Sequence, residues 1–167
     1  MNFIVAVTND YAIGKNNDLL FHLPTDLKYF KQTTLNKVVV MGDRTYLSLP
    51  KRPLPNRINI VLSNNPDFNE EGIIIVRSVA ELFARLKEYN SEDVFVTGGA
   101  SVYNLLMPYC EKAYITKIDI VVEADTYINN IEKMGCWTLE SQSEKVFENG
   151  LNFTFNIYKN QNVQKFM

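Results

Sequence analysis

One histidine, two cysteines and one tryptophan leave this 167-residue chain short of the side chains from which most metal and nucleophilic sites are made. No cluster has zinc-ligand spacing. A Ser-His-Asp triad would have to be built on His22, and no G-x-S-x-G turn supports one. Cys110 and Cys136 allow one bridge at most and give no disulfide framework. Charge of one sign is also scarce. A net −2 from 17 basic and 19 acidic residues makes no broad basic field, which argues against sequence-independent nucleic-acid binding and leaves only a local basic site open. No run approaches the ~20 apolar residues that span a membrane. The opening MNFIVAVTND has neither the basic n-region nor the long apolar core of a signal peptide, so the cytosol is the expected location, with no membrane partner.

With 46% hydrophobic and 22% charged residues, the composition is that of a soluble globular protein and not of a disordered or collagen-like one. A chain this long buries roughly two thirds of its unfolded surface, enough for one domain over 1–167 without covalent staples. Short apolar runs alternate with amphipathic segments. Phe3–Val7, Val38–Met41, Ile58–Leu62, Ile73–Val76, Val94–Thr97 and Ala113–Ile118 are expected strands. Pro24 to about Thr33, Arg44–Leu49, Ser78 to about Tyr89 and Ala100–Leu106 are expected helices, with Pro24 suited to a first turn. Ser78 and Glu81 have capping-box spacing, and Val79, Leu82, Phe83 and Leu86 share one face. Asn9–Leu20 is expected to be a polar loop, and Pro50, Pro53 and Pro55 a stiff one. Leu151, Phe153, Phe155 and Ile157 alternate with polar residues, which predicts a half-buried antiparallel strand entered through Glu148-Asn149-Gly150. The expected fold is α/β: a mostly parallel central sheet with helices on both faces and a C-terminal antiparallel hairpin. Ligands then sit beyond the carboxyl ends of the strands, near Thr8, Gly42–Thr45, Ser63, Gly98–Ser101 and Thr116.

Four positions there invite a chemical reading, each with a plainer alternative. Asp26 shares a helix face with Leu23 and Phe30, with Leu27 beside them. A carboxylate in an apolar stripe is costly unless paired; burial raises its pKa and the helix N-terminus lowers it. It could hold a flat amidine-like ring through two hydrogen bonds, or it is an ordinary first-turn aspartate favoured by the helix dipole. Gly98-Gly99, between VFVT and a helix, lets backbone approach a pyrophosphate; a tight strand-to-helix turn explains the pair as well. Gly42-Asp43-Arg44-Thr45 repeats that logic, with a capped surface turn as the alternative. Arg57, after the stiff RPLPN, could clamp a carboxylate or be a solvated strand-start arginine. His22 is four residues from Asp26, as a titrating partner or a plain loop histidine. Trp137 is expected in the core or partly covered.

Taken together, AVTNDYAIGKNNDLLFHLPTDLKYFK, VVVMGDRTYLSL, RPLPNRINIVLS, VFVTGGASVYNLLMP and AYITKIDIVVEADTYI closely resemble the dihydrofolate reductase family, in its order and spacing, from Phe3 to about Ile128. The resemblance implies reduction of 7,8-dihydrofolate to tetrahydrofolate with NADPH, supporting one-carbon metabolism, by a monomer open to diaminopyrimidine or methotrexate-type antifolates. It implies that Asp26 hydrogen-bonds the pterin N3 and 2-amino group, with Thr116 bonded to its carboxylate. Val5, Ala6, Leu27, Phe30, Leu49 and Thr97 would line the substrate, and Arg57 would pair with the glutamate carboxylate. On the cofactor side, Ala6, Ile13 and Gly14 would meet the nicotinamide with Tyr103 nearby, and Gly98, Gly99, Ala100, Ser101 and Val102 the pyrophosphate. Gly42, Arg44 and Thr45 would lie at phosphates, Leu62, Ser63 and Asn64 near the 2′-phosphate end, and Arg77 near the adenine. The segment from about Asn9 to His22 would be a mobile lid supported by Asp125, with Thr126 beside it among the cofactor-binding residues.

Three departures from the family pattern follow. Phe21 stands in the catalytic neighbourhood where many bacterial members carry tryptophan, so an indole N–H to active-site water is absent. Asp43 stands where some members have a basic residue near the 2′-phosphate, which weakens the electrostatic preference for NADPH over NADH. Thr97 replaces a larger apolar residue beside the pterin. Two other functions remain to be separated: a reductase of the same fold acting on a pyrimidine-ribitol intermediate of riboflavin synthesis, which need not carry Asp26, and a nucleotide-binding module without catalysis.

Overall fold

The computed structural model describes residues 1–166. Its strands are β1 (Asn2–Val7), β2 (Ala12–Lys15), β3 (Asp18–Leu19), β4 (Val38–Gly42), β5 (Ile58–Leu62), β6 (Ile74–Val76), β7 (Val94–Gly98), β8 (Lys112–Ile118), β9 (Thr126–Tyr127), β10 (Trp137–Gln142), β11 (Val146–Glu148) and β12 (Leu151–Asn160). The helices are α1 (Pro24–Thr34), α2 (Asp43–Ser48), α3 (Val79–Leu86) and α4 (Ala100–Leu106). The central sheet runs β10-β12-β8-β1-β7-β4-β5-β6, with β11 also on β12. Every pair from β8 to β6 is parallel, and β12 joins β8 antiparallel, as do β10 and β11 to β12. None of the described helices is long and apolar enough to cross a membrane.

Both faces of this sheet are covered, because its apolar runs are continuous and a strand's side chains alternate between faces. Val38 and Val40 join Phe3, Val5 and Val96 in a core beneath α3 and α4 that includes Leu82, Leu86 and Leu106. Val39 and Met41 face the other way, onto Tyr46 of α2 and Phe68. On that second side, α1 lies over the β8–β12 end: Leu23 packs on Ile118 and Phe153, and Tyr29 stacks on Phe155 with ring centroids 4.2 Å apart.

Four local expectations need correction. The Asn9–Leu20 segment is not merely loop; β2 pairs with β3 and β9 in a small antiparallel sheet. Helix α3 stops at Leu86, with Glu88 and Tyr89 in backbone turns beyond it. Its Ser78 Oγ accepts the Glu81 N–H, but the Glu81 carboxylate accepts from the Arg77 N–H rather than closing the box on Ser78. The terminal strand is not half-buried by polarity. Asn156, Tyr158 and Asn160 are buried, while Leu151, Phe155 and Ile157 are only partly so. Covering both faces forces this, and the polar side chains are satisfied: Asn156 donates to Ile115 O and Asn160 to Cys110 O, each through Nδ2. Trp137 is half-buried, edge-on to Phe3, and both cysteines are free thiols.

Candidate active site

The residues singled out in the sequence gather along α1 and at the carboxyl ends of β1, β4, β5, β7 and β8. Asp26, in the first turn of α1, is half-buried and accepts a hydrogen bond on Oδ1 from the Thr116 hydroxyl of β8 at 2.6 Å. Burial raises its pKa above the usual aspartate value; the Thr116 bond pulls down, and Glu148 pushes up. Desolvation therefore outweighs the Thr116 hydrogen bond. Thr116 pairs with Ala6 across the strands, so Ala6 shares the α1 side, while Val5 points into the opposite core and offers that side only backbone. His22 is exposed, 3.6 Å from Asp18, and is no partner of Asp26. Phe21 packs against the Leu23–Ile118–Phe153 cluster.

At the other end of α1, Arg57 is held rather than free. Its Nη1 donates to Thr34 Oγ1 at 3.1 Å and its Nε to Pro55 O at 3.0 Å, and burial lowers its pKa. Among the described residues it has no carboxylate partner, so the guanidinium retains donors for an incoming anion. Thr34, fully buried, donates its own hydroxyl to Phe30 O. Sequence reasoning missed this brace, although a threonine ending the helix that faces a stiffened arginine is the signal for it. Leu27 is 46% exposed and Phe30 half-buried, so apolar surface remains on α1 between Asp26 and Arg57. Leu49 packs on the Val39–Met41 cluster. Thr97 is skipped in the β4–β7 register, and its hydroxyl donates to Val40 O at 3.3 Å.

The two strand–glycine–helix units pack on each other. A Cβ on Gly99 would lie 3.2 Å from Thr45 Oγ1, and one on Gly42 would lie 3.3 Å from Val102. Gly98 has φ +122°, in the region that favours glycine, and it lies against the Tyr103 ring. The Gly98–Gly99 peptide is cis. Tyr103 is buried and its hydroxyl donates to Ile4 O at 2.7 Å; burial first, then the Asp26 charge, raises its pKa. Arg44 is exposed and has no salt-bridge partner among the described residues, and Ser101 is exposed at the start of α4. With Thr45 they form a donor set suited to phosphates. The next strand end is different: buried Ser63 donates its hydroxyl to Asp43 Oδ2 at 2.6 Å, with Leu62 half-buried and Asn64 exposed beside it. The Asp43–Ser63 contact was not legible in sequence. Arg77 is committed to the Asn65 and Phe68 carbonyls.

The segment before α1 is tied to its neighbours. Asp125 Oδ2 accepts the Asn16 N–H at 2.9 Å and Oδ1 accepts from Thr126; the Asn16 bond is the main cause holding its pKa low. Thr126 pairs with Gly14, and Ile13 packs on the main core.

Residues 1–160 match the family model described as dihydrofolate reductase. The chain is 37% identical over 167 residues to the dihydrofolate reductase of Bacillus subtilis (strain 168), covering 99% of this chain and 97% of that one. It is 36% identical over 159 residues to that of Buchnera aphidicola subsp. Acyrthosiphon pisum (strain APS), covering 94% and 97%. Among solved structures it is similar, with TM-score 0.85, 34% identity and 95% coverage of each chain, to dihydrofolate reductase from Enterococcus faecalis complexed with NADP(H) and RAB-propyl. From the match of the family model over nearly its whole length, and from relatives this similar, the chain belongs to the dihydrofolate reductase family.

Proposed function

We propose that the protein reduces 7,8-dihydrofolate to tetrahydrofolate with hydride added at C6 and a proton at N5. It is an NADP-dependent oxidoreductase, and NADPH is its cofactor. One observation carries the substrate reading. Asp26 and the Thr34 brace of Arg57 are eight residues apart on one helix, about 12 Å at 1.5 Å per residue. A carboxylate acceptor at one end and a braced guanidinium at the other suit a long molecule with a donor-bearing ring and a distant carboxylate. A pyrimidine-ribitol substrate has no such carboxylate.

Each residue then has a physical task. Asp26, with Thr116 on Oδ1, keeps lone pairs for the ring N3–H and 2-amino group and so fixes the ring over Ala6. Its charge tunes the field at the ring, and the N5 proton comes from water rather than from Asp26 directly. Leu27 and Phe30 exclude water along the ring and its aromatic extension, with Leu49 on the opposing wall, and Arg57 clamps the terminal carboxylate. Arg44, Thr45 and Ser101 are the donors that would hold the phosphates of NADPH, and the glycines at 98 and 99 let backbone approach them. When bound, NADPH supplies the hydride. The Asn9–His22 segment, tied at Asp125, would cover the nicotinamide and exclude water.

The decisive experiment is the loss of NADPH absorbance on adding dihydrofolate to purified protein, repeated with NADH. Turnover that needs both reagents is expected. NADPH binding without turnover would sink the folate assignment. Asp26→Asn should lower turnover near neutral pH by roughly 10²-fold and leave NADPH binding nearly intact.

A further inference from the structure

Helix α1 begins without a cap of its own. Leu23 occupies the N-cap and makes no side-chain hydrogen bond, and Pro24 follows it. The first N–H groups of a helix have no partners within it and need acceptors from elsewhere. For Thr25 the acceptor lies 123 residues along the chain: Glu148 Oε1 accepts the Thr25 N–H at 3.0 Å, and Oε2 accepts from the Thr25 hydroxyl. The mount of Glu148 is rigid. It ends β11 and pairs with Leu151 across the two-residue turn Asn149-Gly150, whose φ values of 52° and 76° are those of a tight hairpin turn. That hairpin is continuous through β12 with β8, the strand that carries Thr116. One sheet edge therefore grips adjacent residues of the first turn, Thr25 through Glu148 and Asp26 through Thr116.

We propose that Glu148 is a positioning residue for Asp26, fixing the turn on which the substrate-binding carboxylate rides and placing a second carboxyl beside it. The inference rests on the role given to Asp26 above. Among the described residues, Glu148 is the titratable group that acts on Asp26, with Thr116 of β8 donating to it, and the Asp26 charge in turn acts on Tyr29 of its own helix and Tyr103 of α4. Burial holds both tyrosines above their ordinary pKa, which leaves them neutral. Glu148 is the only carboxyl in the set, so removing its charge favours ionised Asp26.

Glu148→Gln and Glu148→Ala separate the two contributions. Glutamine keeps an acceptor for the Thr25 N–H and loses the charge; alanine loses both. The Asp26 carboxyl is titrated by carbon-13 NMR in the free protein, and kcat/KM for dihydrofolate is measured against pH with NADPH. In both variants the Asp26 midpoint should fall, by about 0.3 of a pH unit for a neighbouring like-charge pair. Above that midpoint, where Asp26 is ionised in every protein, Glu148→Gln should keep kcat/KM near that of the parent protein. Glu148→Ala should lose about fivefold, chiefly in KM for dihydrofolate, and melt a few degrees lower. A lower melting temperature with unmoved midpoints and parent-like kcat/KM would make Glu148 an ordinary helix cap and overturn the inference. If the parent itself fails to turn over dihydrofolate, the folate reading falls and the NMR midpoints alone decide the role of Glu148.

Discussion

Replacing Asp26 by asparagine keeps the acceptor that Thr116 uses and removes the charge. Burial raises the pKa of Asp26 in the folded protein above its unfolded value, so folding favours the protonated form. That contribution to stability is complete below the unfolded carboxylate pKa and is lost as pH rises through the folded value. Deprotonating Asp26 therefore costs more in the folded protein than in the unfolded chain. Asp26→Asn should melt higher than the parent at pH 7, and the difference should shrink as pH falls through the Asp26 pKa. A lower melting temperature at pH 7 would mean that the charge is satisfied by more than Thr116. Asp43 presents the opposite sign problem. Its carboxylate occupies the Ser63 hydroxyl at 2.6 Å, at the strand ends where the family resemblance puts the 2′-phosphate. Removing one like charge near contact is worth about 1 kcal/mol in a water-like medium. Asp43→Asn should therefore raise the NADPH-to-NADH affinity ratio about fivefold, as read by calorimetric titration of each. An unchanged ratio would place the 2′-phosphate beyond the reach of Asp43.

At the scale of elements, helix starts divide the labour between scaffold and site. Helix α3 is capped locally, by Ser78 accepting the Glu81 N–H at 3.1 Å, and its job is to bury Leu82, Phe83 and Leu86. Ser78→Ala should lower the unfolding free energy by about 1 kcal/mol with kcat unchanged, by denaturant titration and the NADPH assay. Helix α1 is capped from afar, as befits an element whose first turn carries a chemical group. The β2–β3 hairpin hangs on Asp125, whose low pKa means its bond to Asn16 holds at neutral pH and fails only as pH falls through that lowered value. Asp125→Ala should speed hydrogen exchange at the Asn16 amide at pH 7 while leaving core strands protected. Equal exchange in both proteins would show that the β2–β9 pairing alone holds the segment.

For the whole molecule, the residues proposed to bind ring, carboxylate and phosphates all come from one chain, so the site requires no second copy. Light scattering should give a mass near 19.2 kDa, and twice that value would overturn the monomer. The parallel order of the sheet, its coverage on both faces and the placement of glycine turns at strand ends were legible in the sequence. Continuous runs such as Val38–Met41 can only be buried on both sides, and Gly42 and Gly98 interrupt them where backbone must turn. Asp26, Arg57 and the glycine pair were legible as candidates because a carboxylate in an apolar stripe and an arginine after a stiff loop are locally anomalous. Spacing alone gave none of their partners: the family resemblance supplied Thr116, 90 residues from Asp26, while Glu148, 123 residues from Thr25, and the meeting of Asp43 with Ser63 across two strand ends were not legible. Buried Asn156 was misjudged for the same reason, since polarity is local but satisfaction of a polar group is not. The sequence by itself determined which segments must be buried and where the chain must turn, because periodicity and backbone sterics act over a few residues. Only the tertiary structure decided which polar atoms meet, because a hydrogen bond depends on distances of a few tenths of an ångström between strands and helices far apart in the chain.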